Sequence, residues 1–333
     1  MGRAVLIEEP GSLRIVPVPE REPGHGEAVV RVAWSGICGS DRELFQGTRT
    51  PGYFRYPVVP GHEWSGTVTA LGPGTDPALL GRPVVGEGFR NCGHCAPCRR
   101  ADTTLCTAAY DETGFTRPGA WADELLLPAR LLHPLPEGAD LRAAALAEPA
   151  ACMAAAALKA AVVPGERVAV AGGGTLGMLA AQLVAASGPG ELVVIDPRPE
   201  REELALRCGA TAWHAPGEAD GGFDVVIEAA GAPGAAAQAV RLARRGGRIV
   251  LTGLAGTETH PLIPSELVAA AVTVHTVFGA PSWAWSHAVR AFARGLLDPA
   301  PLVTHEFPLE AAGEALDLLG DPATPTGKIL LHP

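Results

Sequence analysis

Three groups of residues carry the chemistry available to this sequence, and the most compact is a run of thiols. Cys92, Cys95, Cys98 and Cys106 follow the spacing C-x2-C-x2-C-x7-C, with Gly93 and Pro97 between them. Thiolates this close can wrap a tetrahedral Zn²⁺ at ~2.3 Å per bond, and four protein ligands leave no position for a substrate. The expected role is structural: the ion closes a loop over residues 91–107 that has little core of its own. An iron–sulfur cluster opens with the same two spacings but wants x3 next and a proline after the fourth cysteine. Here the spacing is x7 and Thr107 follows. Disulfides are disfavoured in a reducing compartment.

The second group is dispersed. Cys38 lies in GICGSD, His62 and Glu63 in PGHE, and Glu148 before Pro149. Singly, each has an ordinary structural reading: a small buried thiol, a turn histidine, a carboxylate in the first turn of a helix. Together, a thiolate, an imidazole and a carboxylate make an open three-ligand set with a fourth position for water or an alcohol.

The third group is a glycine turn. Residues 168–196 read VAVAGGGTLGMLAAQLVAASGPGELVVID: strand, turn, helix, strand, acid. This is the dinucleotide fingerprint G-x-G-x-x-G, with a carboxylate about 20 residues further on. Gly172 permits the turn out of the strand, Gly174 lets backbone approach a pyrophosphate, and Gly177 lets the helix pack on the sheet. Thr175 and Leu176 open the helix, whose unpaired N–H groups face the anion. Asp196 is placed to accept from the adenosine ribose hydroxyls and repel a 2′-phosphate, which favours NAD. Arg198 and Arg201 are close enough in sequence to hold that phosphate, so NADP stays as the less favoured cofactor.

These groups need elements to position them. A chain of 333 residues predicts two domains, and 47% apolar content can fill both cores. Up to about residue 148 the sequence is strand-like and rich in Gly and Pro, with alternating runs at 28–33, 66–71 and 121–127. That predicts a β-barrel-like unit. After an alanine-rich helix to about 161, strands (168–171, 191–195, 212–214, 223–229, 247–251, 272–278) alternate with helices (199–208, 233–244, 264–270). Such β-α repetition implies a parallel, doubly wound sheet. A helix (283–294), a strand (303–309), a helix (310–319) and a strand (328–331) end the chain. The expected domains are 1–148 with 285–333, and an inserted 149–284.

Composition bounds the partners. A net charge of −10 with two lysines, Lys159 and Lys328, offers no basic patch for nucleic acid or an anionic membrane. The N-terminal stretch lacks a signal-peptide core, and the apolar stretches are broken by Gly, Pro or charge. A soluble, cytoplasmic protein is expected, and its seven cysteines point to metal or catalysis before disulfides.

With GICGSD, VVPGHEWSG, the four-cysteine lobe, the Glu-Pro pair, the glycine fingerprint, Glu228-Ala229-Ala230-Gly231 and the terminal GKILL in view, the chain resembles the zinc-dependent medium-chain alcohol dehydrogenases. The resemblance is greatest to the polyol, sorbitol and threonine dehydrogenase branch. PVVPGHEWSG and GFTRPGA are also similar to dehydrogenases that oxidise a cyclitol hydroxyl, the 2-deoxy-scyllo-inosamine dehydrogenases.

The resemblance implies a GroES-like β-barrel catalytic domain enclosing a Rossmann domain, two Zn²⁺ per chain, NAD, and a homodimer or homotetramer. Carried over, Cys38 and His62 match zinc ligands, and the third is Glu63 in some members and Glu148 in others. Asp41 matches the carboxylate that orients the zinc-bound histidine. Ser40 matches the hydroxyl that bonds the substrate oxygen, and Lys328 the position of a cation for the pyrophosphate. Glu43 stands where many relatives place a proton-relaying histidine, so it is either a carboxylate relay or a solvated helix residue. Cys152 and Cys208 match no ligand, and Trp34, Phe54, Trp64 and Phe115 are candidates to line a pocket.

The activity expected is reversible oxidation of a secondary alcohol of a polyol, cyclitol or amino-cyclitol to a ketone. Threonine or a simple secondary alcohol is the alternative substrate. Rival readings are a zinc-free reductase, which would lack both metal sets, and a non-catalytic zinc and dinucleotide-binding protein.

Overall fold

The computed structural model describes residues 1–254, 261–321 and 323–333. They divide into two compact units: Met1–Glu148 with Pro281–Val289 and Pro299–Pro333, and Pro149–Ala280 with Arg290–Asp298.

The first unit is built on the strand Glu27–Ile37. Its residues Ala28, Val29, Val30 and Val32 are all buried, and Ser35, Gly36 and Ile37 are buried at its far end. This strand pairs antiparallel with Trp64–Leu71, with Glu124–Pro128 and with the last strand, Lys328–His332. The full sheet has seven strands and runs Val303–Pro308, Lys328–His332, Glu27–Ile37, Trp64–Leu71, Pro83–Gly86, Leu132–Pro134, with Glu124–Pro128 added to the third. A separate hairpin, Gly2–Glu9 with Ser12–Val18, is tied on through Val5 N–H to Trp121 O (2.8 Å) and Ile7 N–H to Val58 O (2.9 Å). The core around Val30, Trp64, Leu125 and Leu127 fills one side. A second cluster, Ile37, Trp121, Leu316, Ile329 and Leu331, joins the C-terminal strand to the first elements.

The second unit holds a six-stranded sheet in the order Ala212–His214, Glu191–Ile195, Arg167–Ala171, Phe223–Glu228, Ala243–Leu251, Thr273–Thr276. Every pairing in it is parallel. The middles of the central strands are apolar, Val168, Ala169, Val170, Val225, Val226 and Ile227 being fully buried, as a sheet covered on both faces requires. The strand order reverses between Arg167–Ala171 and Phe223–Glu228, and ligands of such sheets bind beyond the strand ends at that point.

Several boundaries moved from those expected. The helix expected over 233–244 is Ala235–Leu242, and the following strand starts at Ala243, not at 247. Ala243 already pairs with Phe223, so the ladder recruits residues whose composition alone reads as helical. The last strand of this unit, expected over 272–278, is trimmed to Thr273–Thr276. Among the described residues no helix is long and apolar enough to cross a membrane.

Candidate active site and metal centres

The strand Glu27–Ile37 delivers Cys38 at its end, where the chain turns into the helix Gly39–Gln46. Cys38 is the residue before the first helical turn, and its backbone N–H donates to Oδ2 of Asp41 at 2.9 Å. The other oxygen of the same carboxylate lies 3.4 Å from Nδ1 of His62. Asp41 is fully buried and thus touches both the Cys38 backbone and the His62 ring. With Nδ1 turned to Asp41, Nε2 is the imidazole nitrogen left for an ion. Burial by itself would depress the His62 pKa, but Asp41 and the Cys38 sulfur outweigh it and raise it well above the usual range.

Glu63 follows in the chain and is buried, its carbonyl accepting from Gly36 N–H (2.9 Å) and Ser35 Oγ (2.9 Å). A side chain at Gly36 would sit 2.2 Å from Glu63 Oε2, so glycine there is what lets the carboxylate lie across the strand. Ligand atoms of Cys38, His62 and Glu63 all lie within 4.8 Å of one another. Neither Asp41 Oδ1 nor His62 Nδ1 completes a hydrogen bond, although both atoms are buried. A soft thiolate, an imidazole and a carboxylate at this spacing fit a Zn²⁺, which would draw the histidine and its carboxylate into register. Glu148, the other glutamate considered, lies outside this group, in the first turn of the helix Ala147–Ala160.

Lys328 has a partner other than the pyrophosphate expected of it. Its Nζ is buried and donates to Glu63 Oε1 (2.8 Å), Glu63 Oε2 (2.6 Å) and the Ile37 carbonyl (3.3 Å). An ammonium has three donors, and all are committed. Burial would lower the Lys328 pKa, but the charges of Glu63, Cys38 and Glu148 raise it.

Ser40 is half-buried in the first turn of the helix Gly39–Gln46. Glu43, one turn on, is exposed, and its carboxylate is 4.0 Å from Arg49. Of the four aromatic candidates, Phe115 alone lies against the metal residues: its ring is 4.7 Å from that of His62. Trp64 is core, Trp34 packs on His332, and Phe54 on Tyr56. Over Phe115 lies the Arg49 guanidinium, 3.7 Å from the ring centre. The residues that sequence reasoning missed are here: Tyr110 and the buried Glu112, joined by a hydrogen bond from the Tyr110 hydroxyl to Oε2. The signal that could have found them is GFTRPGA, which begins two residues after Glu112.

In the cysteine lobe the four sulfurs also lie within 4.8 Å of one another, and Cys92 and Cys98 are 3.9 Å apart. A tetrahedron with ~2.3 Å bonds has sulfurs about 3.8 Å apart, whereas a disulfide would bring them to ~2 Å. None of the seven cysteines forms a disulfide. N–H groups of Cys92, Cys95 and Ala108 point at sulfurs, each at 3.4 Å. Backbone donors pull the Cys95 pKa down, while burial and adjacent thiols push Cys98 up. The lobe is pinned by Trp283 Nε1–H to Asp102 (3.2 Å) and Ser282 N–H to Thr103 Oγ1 (2.9 Å). Cys208 is buried with Gln182 Nε2 at 3.5 Å, and neither it nor Cys152 joins a metal group among the described residues.

At the glycine turn, Gly172 has φ +108° and its N–H donates to Ile195 O (2.8 Å). Gly177 lies so close beneath it that a side chain would fall 1.7 Å from Gly172 O. Gly174 precedes the helix Thr175–Ala185, whose first N–H groups have no partner within the helix. Asp196 accepts from Gly173 N–H (2.6 Å), and Arg198 grips it with Nε (2.8 Å), Nη2 (2.9 Å) and its own N–H (3.0 Å). Burial would raise this carboxyl, but Arg198 and the backbone donors lower it. Arg201 is buried nearby in sequence. Glu228 accepts from the N–H groups of Ala230 (2.9 Å), Gly231 (2.8 Å) and Gly253 (3.1 Å), which fixes the loop that Gly172 packs against.

Comparison with known proteins agrees with this arrangement. Residues 24–137 match the family model for the alcohol dehydrogenase GroES-like domain, and residues 175–294 match that for zinc-binding dehydrogenases. The chain is 29% identical to L-threonine 3-dehydrogenase of Proteus mirabilis (strain HI4320), over 95% of this chain and 94% of that protein. A Sinorhizobium meliloti 1021 protein described as a zinc-binding dehydrogenase, bound to NADP, superposes with a TM-score of 0.91 at 29% identity, covering 100% of this chain and 99% of that one. An alcohol dehydrogenase of E. coli CFT073 complexed with NADH gives 0.91 at 26% identity, covering 99% of each. With its GroES-like and Rossmann units and two side-chain groups able to hold a metal, the chain belongs to the zinc-dependent medium-chain alcohol dehydrogenase family.

Proposed function

We propose that this enzyme oxidises a secondary alcohol of a polyol, cyclitol or amino-cyclitol to a ketone, reversibly and with NAD as the preferred acceptor. The observation that carries the reading is the convergence of Cys38, His62 and Glu63 within 4.8 Å, with Asp41 behind the imidazole. In this reading those three side chains hold the catalytic zinc, Glu148 can exchange with Glu63, and Cys92, Cys95, Cys98 and Cys106 hold the structural one. When bound, the metal supplies Lewis-acid polarisation of an alcohol oxygen and the nicotinamide a hydride acceptor.

The chain's own residues do the rest. Asp41 fixes the His62 tautomer and ring orientation. Ser40, at the helix start beside Cys38, accepts the alcohol proton and passes it towards solvent. Glu43 is exposed and serves as a solvated helix residue, so water completes the relay. Lys328 neutralises Glu63, and the Thr175, Leu176 and Gly177 N–H groups cradle the pyrophosphate. Asp196 receives the ribose hydroxyls, with Arg198 and Arg201 beside it. One thiolate replaced by a carboxylate makes the metal set harder, which suits substrates rich in oxygen. Threonine is the second candidate, because the curated relative named above is a threonine dehydrogenase. A cytoplasmic, reducing setting would keep the four thiolates available to metal, and a homodimer or homotetramer is the assembly proposed.

Metal analysis and a substrate panel test the reading. Two zinc ions per chain, and reduction of nicotinamide with alditols, inositols, amino-cyclitols or threonine, are expected. Cys38→Ser should abolish turnover while keeping one zinc and the fold. A single zinc in the unaltered protein would favour a non-catalytic binding module, and full activity in Cys38→Ser would sink the reading.

A further inference from the structure

Beside the metal residues stands an acid the proposed chemistry has not used. Glu112 is buried, and its backbone bridges to Phe89. The turn it begins packs directly on His62: a side chain at Gly114 would fall 2.9 Å from Gly61 C and 3.0 Å from His62 N, and the Phe115 ring lies tilted against the imidazole. The Glu112 carbonyl accepts from Thr116 and Arg117 N–H groups (3.0 Å each), and its N–H donates to Thr116 Oγ1 (2.7 Å), so the backbone is held.

The two carboxylate oxygens differ. Oε2 is taken by the Tyr110 hydroxyl, which Arg49 Nη2 approaches at 3.4 Å. Oε1 accepts no hydrogen bond among the described residues, and residue 88 beside it is glycine, where a side chain would begin only 3.1 Å away. The Arg49 guanidinium lies over Phe115 and donates to the Tyr53 carbonyl (3.2 Å), and it makes no ion pair with Glu112 among the described residues. Burial pushes the Glu112 carboxyl up to about 7, with His62 and Arg49 opposing that rise and Glu148 and Asp41 adding to it. A buried carboxylate with no cation in direct contact is costly.

We propose that Glu112, held by Tyr110, is a substrate-specificity residue whose free Oε1 receives the protonated amino group of an amino alcohol. This rests on the alcohol dehydrogenase reading and narrows it. A hydroxyl could bond to Oε1, but only an ammonium also cancels its charge, and Asp41 and Glu148 add to the negative field around it. Charge-assisted bonds are about twice as strong as neutral ones.

The test measures binding without turnover. Calorimetric titration of the zinc-loaded protein at about pH 8, where carboxylate and ammonium are both charged, compares trans-2-aminocyclohexanol, its N-acetyl derivative and trans-cyclohexane-1,2-diol. The unaltered protein should bind the amine at least ~10-fold more tightly than either neutral ligand. Glu112→Gln should reduce that ratio by ~10- to 100-fold, and Tyr110→Phe by less, with zinc content unchanged. Equal affinity for all three ligands, or a ratio untouched by Glu112→Gln, overturns the proposal. If Glu112→Gln fails to fold, the amine against its N-acetyl derivative on the unaltered protein still decides. Turnover is scored separately: selective amine binding with no alcohol oxidised defeats the oxidation reading alone, and diol oxidation without amine selectivity defeats this subsite alone.

Discussion

Replacing Lys328 with methionine probes the buried pair that most constrains the candidate metal site. Its ammonium sits 2.6 and 2.8 Å from the two oxygens of Glu63, and both side chains are almost wholly buried. Lys328→Met leaves a carboxylate in the interior with no counter-charge, a loss that costs ~3–5 kcal/mol. For a domain of ~150–250 residues each kcal/mol moves the midpoint by ~2–4 °C, so the expected drop is roughly 6–20 °C. Removing both charges, in Glu63→Gln with Lys328→Met, should recover most of the loss, because the desolvation cost disappears with the pair. Thermal and urea denaturation of the parent, the two single variants and the double variant form the cycle. It is run at fixed zinc and again with chelator, since any ion held by Glu63 adds its own stabilisation. The Lys328 pKa is raised on folding, so its contribution is complete below ~10.4 and fades as pH climbs through the higher folded value. A Lys328→Met variant within ~1 kcal/mol of the parent, or a double variant no better than the worse single, would refute the reasoning.

Three further perturbations follow from other parts of the structure. Cys98→Ser should lower zinc from two per chain to one by elemental analysis and make residues 92–106 the first site of proteolysis, since the lobe has little else to order it; retention of two ions would count against the four-thiolate cage. Asp196→Ala should free Arg198 for a 2′-phosphate and shift the kcat/KM ratio of NADP to NAD upward by ~10-fold or more, as expected for charge-assisted bonds; an unchanged ratio would remove Asp196 from cofactor choice. Glu112→Gln should gain stability over the parent as pH rises from ~4.3 towards 7, because the raised carboxyl favours folding only while protonated. The gain should reach about 3 kcal/mol by denaturation, and a difference independent of pH would rule out a buried, titrating Glu112.

What could be read from the sequence was local. The four cysteines lie within one short segment, so their spacing alone limits how far apart the sulfurs can be, and they meet as that spacing suggests. The turn 172–177 with Asp196 is one strand–helix–strand unit, whose glycines reflect a close approach measurable within the same unit. The parallel sheet followed from apolar runs buried on both faces. Boundaries were less legible where pairing overrides propensity, as at Ala243.

Tertiary structure decided the residues that meet across long separations. Cys38 and Glu63 come from different segments, and Lys328 reaches Glu63 across 265 positions because the last strand pairs with Glu27–Ile37. No spacing rule covers that pairing. Glu43 reads by position as a relay or a solvated helix residue, and only the fold shows that the helix Gly39–Gln46 leaves it exposed. Glu112 stands two residues before GFTRPGA, and only the fold shows that it is buried within the field of His62. Sequence fixes which groups a short stretch can bring together, since chain length bounds their separation. Which distant charge ends up desolvated, and against what partner, depends on packing that only the folded chain defines.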